Sequence, residues 1–380
     1  MPIDSKYLKD CTGCSACQMI CPKQCISMKT NEFGFNYPEI NYDKCINCDL
    51  CLKSCPIICN HLEKNELKKV YACWSKDSDN RWESTSGGMF FEIYYVLNQV
   101  FSDLYVCAAE YDEKNNVVHN IYDDEDNIKK FRQSKYTQSD MNDCFRNIKK
   151  LLCNKKHVLF CGTPCLVAGL KQYLGKEYDK LITIDFICRG VNSPKAYRKW
   201  LDEIEQNEQS RVKRVWFKYK KNGWKKSPMC TLIEFDNGNQ KILEGKANTY
   251  MRGYLGPNLY IRDSCGHCKY KGADRMSDIT LGDFWGIEEN LDDNCGTSLL
   301  MVNSFFGQKI INLLINRCII YEKNVENVVN GNVCFNESVK INPQSFDFLK
   351  EIDCMPFSKC IDKFTHVSVL TRIKNKLHMR

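Results

Sequence analysis

The sequence predicts an α+β chain in which a small, cysteine-organised domain precedes a larger mixed α/β domain. Three observations carry that expectation. Two matching runs, Cys11-x2-Cys14-x2-Cys17-x3-Cys21-Pro22 and Cys45-x2-Cys48-x2-Cys51-x3-Cys55-Pro56, are complete by residue 56 of a 380-residue chain. Two apolar segments, His157 to Cys161 and the one opening at Leu181, each lead through a loop into a helix, the pattern of parallel strand pairing. Alternating segments joined at Asn237-Gly238, a strong hairpin signal, add antiparallel strands. The length behind Pro56 suffices for one large or two medium domains.

Each cysteine run has the spacing of bacterial two-cluster ferredoxins, in which the fourth cysteine ligates the other cluster. Three thiolates on one tight loop reach three corners of a cubane. The fourth corner faces away, so a distant cysteine supplies it. One 4Fe-4S cluster is therefore assigned to Cys11, Cys14, Cys17 and Cys55, and a second to Cys45, Cys48, Cys51 and Cys21. The rival readings are weaker. Disulfides need an oxidising compartment, and Met1 to Asp10 has neither the apolar segment nor the cleavage site of a secretory signal. Zinc gives no reason for eight cysteines in two identical runs, each closed by proline.

Composition narrows the partners. The formal charge is +7, but the basic residues alternate with acids along the chain, which speaks against nucleic acid. Thiolate-bound clusters add negative charge that the formal count omits. No apolar run approaches the length of a membrane span, so a soluble protein is expected. The 25 cysteines point to a reducing cytoplasm, most readily that of an anaerobe.

Along the chain, Ser84-Thr-Ser-Gly-Gly88 leads into an apolar helix from Met89; free N–H groups there suit either a phosphate or an ordinary cap. Leu104 to Tyr111 and Val117 to Tyr122 read as a hairpin, and Asp124 to Tyr136 and Ser139 to Cys153 as helices. A helix opens at Ser193-Pro194 and runs to about Glu208. Val212 to Tyr219, Met229 to Phe235 and Gln240 to Leu243 read as strands, the lysines after Trp216 forming a solvated face. A helix from Gln308 to Arg317, weak strands and a polar tail follow.

Five cysteines of the large domain fall in loops: Cys161, Cys165, Cys188, Cys265 and Cys268. In a chain that already assembles two clusters, a third iron–sulfur site is favoured over zinc or buried apolar thiols. Cys265, Cys268 and Cys188 are its expected ligands, with either Cys161 or Cys165. The remaining cysteines lack ligand spacing and are taken as structural.

At these residues the chain resembles the beta subunit of coenzyme F420 hydrogenase/dehydrogenase. The resemblance rests on Ser86-Gly87-Gly88, Cys161-Gly162-Thr163-Pro164-Cys165, Asp185-Phe-Ile-Cys188-Arg189, Cys265-Gly-His-Cys268 and Asp278-Ile-Thr-Leu-Gly-Asp283-Phe-Trp-Gly. It runs from about Val70 to beyond residue 300. It implies an FAD-bearing domain with a 4Fe-4S cluster of its own, exchanging hydride with a small-molecule donor or acceptor and electrons with an external ferredoxin or partner subunit. By the same resemblance Ser86, Gly87, Gly88, Gly162, Thr163 and Pro164 are flavin-pocket candidates. Arg189 stands where many relatives carry histidine; it cannot donate and recover a proton, but it can neutralise a reduced flavin or a phosphate. Asp283 is a candidate for flavin hydroxyls or a strand end. The organisation that follows is a two-cluster domain at 1–60, a linker at 61–69, the large domain in parts at 70–150 and 151–340, and a tail at 341–380. The leading expectation is an FAD-dependent oxidoreductase; a relay subunit without catalysis is the alternative, and a redox-sensing regulator lacks a DNA-binding helix pattern.

Overall fold

A computed structural model describes residues 9–59, 63–225 and 229–366. The first module is small because its cysteine loops do most of the folding. Short helices Ala16–Ile20 and Leu50–Lys53 follow the two loops, and strands β1 (Ile26–Thr30) and β2 (Asn36–Ile40) pair antiparallel between them. Its core consists largely of thiols: Cys17, Cys21, Cys25 and Cys51 pack with Ile26.

Of the expected linker, residues 61 and 62 lie outside the described residues. Asn65 exchanges backbone bonds with Arg275 at 2.6 and 3.1 Å, so this segment is already tied to the large domain. Strand β3 (Lys69–Ser75) then opens a mixed sheet. The hairpin β4 (Leu104–Tyr111) and β5 (Val117–Tyr122), then β6 (His157–Cys161) and β7 (Leu181–Phe186), continue it. Three strands leave to form a second sheet, β8 (Val212–Tyr219), β9 (Cys230–Phe235) and β10 (Gln240–Leu243). The chain returns to the first sheet through β11 (Ile279–Asp283), β12 (Ser298–Val302) and β13 (Cys318–Lys323).

The large sheet has the order β13-β3-β12-β11-β7-β6-β4-β5. Its centre, β11, β7, β6 and β4, is parallel, so the carboxyl ends of these strands share one edge, where α/β sheets bind ligands. Helices Met89–Val100 and Phe305–Leu314 cover one face; Cys144–Cys153 and Pro164–Leu174 cover the other. A separate core joins helix Pro194–Glu208 to the small sheet through Trp200, Phe217 and Tyr250.

Three expectations need correction. The helix expected over Asp124 to Tyr136 is only Glu125–Ile128 plus a 3-10 turn, because Gln133 turns to φ +71° and Lys135 folds back onto the carbonyls of Lys130, Phe131, Arg132 and Gln133. The helix expected from Ser139 starts at Cys144. The supposed tail includes helices Ser345–Glu351 and Phe357–Thr365, whose Phe348, Leu349, Phe357 and Ile361 complete the core of the small sheet; residues 367–380 lie outside the described residues.

Candidate metal centres

The first cysteine loop turns sharply at Gly13 and Ser15, both at positive φ, and the second at Asn47 and Asp49. These turns gather the thiols inward. Cys11, Cys14, Cys17 and Cys55 line one cavity; Cys21, Cys45, Cys48 and Cys51 line another. Each run thus sends its fourth cysteine to the other run's cavity. Cys25, which lacks ligand spacing in the sequence, also lines the second cavity, its Sγ 3.3 Å from that of Cys21.

A third cavity is lined by Cys165, Cys188, Cys265 and Cys268. Cys161 is not part of it. That residue closes β6, and its neighbours are Lys135, Asp185 and His119, whose Nε2–H donates to its carbonyl at 3.3 Å. Cys165 sits in the first turn of helix Pro164–Leu174, beside Thr163 Oγ1 at 3.1 Å, and so faces the knuckle Cys265–Cys268. The sequence left these two cysteines open, since both flank the same Gly-Thr-Pro loop; the strand-to-helix reversal separates them.

Among the described residues no group of three or more His, Cys, Asp or Glu side chains is arranged to hold a metal ion. Each cavity is lined by at least four thiols, the donor number of a 4Fe-4S cluster. Burial first, then repulsion from neighbouring thiolates, pushes Cys14 and Cys188 up to about 12 and holds Cys17 and Cys165 well above the ordinary thiol value. Iron must displace those protons.

The third cavity is walled from both sides: Asp10, Thr12 and Ile57 belong to the first module, the thiols to the large domain. Arg262, completely buried, holds the two together. It donates to the carbonyls of Cys11 at 2.8 Å and Asn36 at 3.0 Å and to Gln138 Oε1 at 2.9 Å, with its guanidinium 4.2 Å from the Tyr37 ring. Arg146 adds bonds to the carbonyls of Gln18 and Met19. No local motif marks Arg262; only its place three residues before Cys265 hints at it.

The flavin candidates are scattered over three environments. Ser86 Oγ donates to Thr297 O at 2.7 Å, and Gly87 N–H to Ser298 Oγ at 2.9 Å. A Cβ on Gly87 would lie 2.5 Å from Cys73 O, so glycine lets this loop press onto β3 and β12. Gly88, at φ +87°, caps helix Met89–Val100; the buried Glu92 carboxylate occupies the first turn, which disfavours a phosphate at this terminus. Gly162 packs on Phe160 and Leu166, Thr163 on Cys165, and Pro164 starts the helix. Arg189 lines the thiol cavity and donates to Asn258 Oδ1 at 2.7 Å. Asp283 ends β11 in an ion pair with Lys218.

Sequence reasoning missed a convergence of cations around residues 83–88. Lys218 and Lys220, expected on a solvated face, are buried, because a register shift at Lys218, φ +56°, turns the strand inward. Lys220 Nζ donates to the carbonyls of Arg81, Ser86 and Cys295. Arg214 pairs with Glu83 at 2.7 Å. Ser134 N–H donates to Thr85 Oγ1, bringing Arg132 and Lys135 alongside; Arg132 Nε is buried without a partner in the structure. Burial pushes Lys135 down to about 7, although nearby Glu110 opposes the fall. Trp285 stacks on Trp224, centroids 4.4 Å apart, beneath Lys218.

No curated protein matches this chain. A solved structure of the xenon-derivatised F420-reducing [NiFe] hydrogenase complex from Methanosarcina barkeri is similar at 16% identity and a TM-score of 0.46, over 79% of this chain and 91% of that one. Residues 10–59 match the family model of a 4Fe-4S dicluster domain. Residues 155–328 match that of the C terminus of the coenzyme F420 hydrogenase/dehydrogenase beta subunit. No helix of the described residues is long and apolar enough to cross a membrane. One chain thus joins a segment matching the 4Fe-4S dicluster domain, residues 10–59, to a segment matching the C terminus of the coenzyme F420 hydrogenase/dehydrogenase beta subunit, residues 155–328.

Proposed function

We propose that this chain is a flavin-dependent iron–sulfur oxidoreductase, passing electrons between a small-molecule hydride donor or acceptor at FAD and three 4Fe-4S clusters. The observation that carries the reading is the succession of three four-thiol cavities. The two in the first module share a core, and the one lined by Cys11, Cys14, Cys17 and Cys55 meets the third across Thr12 and Ile57. A relay of that form connects the large domain to the module's surface.

FAD supplies the conversion between paired and single electrons that hydride carriers and clusters require. The cations around residues 83–88 support a place for it. Arg132, with a buried N–H that lacks a hydrogen-bond partner, offers charge to a diphosphate or a reduced ring, while Lys220 holds the Ser86 carbonyl in place. Arg189 offers its charge to the third cluster rather than to that loop. Cys48 and the exposed side chains around it give an external ferredoxin or partner subunit access to the far cluster.

A relay subunit without catalysis is the second reading. It is favoured by the packing of Gly87 and Gly162, whose open sides are filled by protein atoms. Anaerobic purification followed by iron and flavin counts separates the two. About twelve irons and one FAD per chain, bleached by a nicotinamide or deazaflavin donor, are expected. Twelve irons without flavin leave the relay; eight irons remove the third cluster and the reading with it.

A further inference from the structure

We infer that Tyr270 is the coupling residue between the first module and the large domain, its ring filling the space between the cluster on Cys11, Cys14, Cys17 and Cys55 and the cluster on Cys165, Cys188, Cys265 and Cys268. The inference deepens the proposed function and rests on it. Tyr270 follows the knuckle by two residues, lines the third cavity, and is 7% exposed. It packs in one apolar group with Cys14 on the module side and with Cys165 and Cys268 on the other. Its hydroxyl donates to the carbonyl of Pro56 at 3.3 Å, directly after the ligand Cys55.

A second contact shows how closely the two sides approach. Helix Pro164–Leu174, which carries Cys165, presents Gly169 to the module, where an added Cβ would sit 3.0 Å from Cys14 Cβ and 3.1 Å from its Sγ. Helix and ligand loop therefore touch at a residue without a side chain, and Tyr270 occupies the neighbouring gap.

Electron tunnelling falls steeply with the width of the gap, and water in the gap raises cluster potentials through solvent exposure. A ring that excludes water from both clusters at once sets their potentials together. The test uses the full chain, anaerobically loaded, as wild type, Tyr270→Phe and Tyr270→Leu. Iron is counted first, about twelve per chain being required by three cubanes; eight in the wild type refutes the proposed function and this inference with it. With all irons present, redox titration followed by electron paramagnetic resonance is expected to show Tyr270→Leu shifting two potentials upward and weakening the spin coupling between those two clusters. The far cluster on Cys21, Cys45, Cys48 and Cys51 should keep its potential, and Tyr270→Phe should stay near wild type. Unchanged potentials and coupling in Tyr270→Leu, or equal shifts of all three clusters, would overturn the assignment.

Discussion

Two cysteines four residues apart end up in different chemistry, and the reason is local geometry. Cys161 completes a strand buried against Lys135 and Asp185; Cys165 begins a helix that points at the knuckle. Cys165→Ser is therefore expected to lower the iron content by about four per chain, the stoichiometry of one cubane, while Cys161→Ser keeps it. Equal losses would return the ligand question to the open. His119 offers a pH test beside them. It is 2% exposed, burial pushes its pKa down to about 4 from 6.5, and its Nδ1 has no partner in the structure. Since the folded value lies below the unfolded one, this neutral imidazole favours folding above about 6.5. That contribution fades as pH falls toward 4, by up to about 1.4 kcal/mol per pH unit. Melting temperatures of wild type between pH 7 and 5 should fall more steeply than those of His119→Gln. Acid damage to the clusters is common to both proteins, so the difference in slope reports the histidine.

At the scale of elements, the segment after β5 shows what a helical pattern can conceal. Apolar residues from Asp124 onward repeat at helical spacing, yet the chain leaves the helix where Lys135 folds back onto the carbonyls of Lys130, Phe131, Arg132 and Gln133. The loop so formed brings Arg132 to the Thr85 loop. Replacement of Arg132 by leucine is predicted to weaken FAD retention on gel filtration without changing the iron count. Full retention would move the flavin site elsewhere. Docking of the two domains draws in the same way on the buried Arg262. Arg262 makes three bonds to the module and its neighbour Gln138, and charged hydrogen bonds contribute about 2 kcal/mol each. Arg262→Leu should loosen the module, seen as faster proteolysis between residues 59 and 69 at unchanged secondary structure. An unaltered cleavage rate would mean that the apolar contacts around Cys14, Ala16 and Met19 suffice alone.

Across the whole molecule the three cavities differ in their access to solvent. Cys14 and Cys17 are buried, the third set is half-buried, and Cys48 is exposed, with Tyr42 63% and Ile46 56% exposed around it. A brief pulse of oxidant should accordingly remove about four of twelve irons first, and alkylation should then mark Cys48 before Cys14. Much of this arrangement could be read from the chain itself. Cluster ligation within one run depends on spacing over a dozen residues, and β6 and β7 announce themselves by short apolar stretches ahead of Gly, Thr, Ser and Pro. Such signals are local, so no tertiary context is needed to find them. The contacts between distant segments are of another kind. The burial of Lys218 and Lys220, the rejection of Cys161, the clasp of Arg262 and the place of Tyr270 between two cavities each join residues far apart in sequence. Their partners are set by which edge of the sheet a strand ends on and which face a helix turns to the module. Periodicity states that a side chain is turned inward, and only the packed fold decides what it meets there.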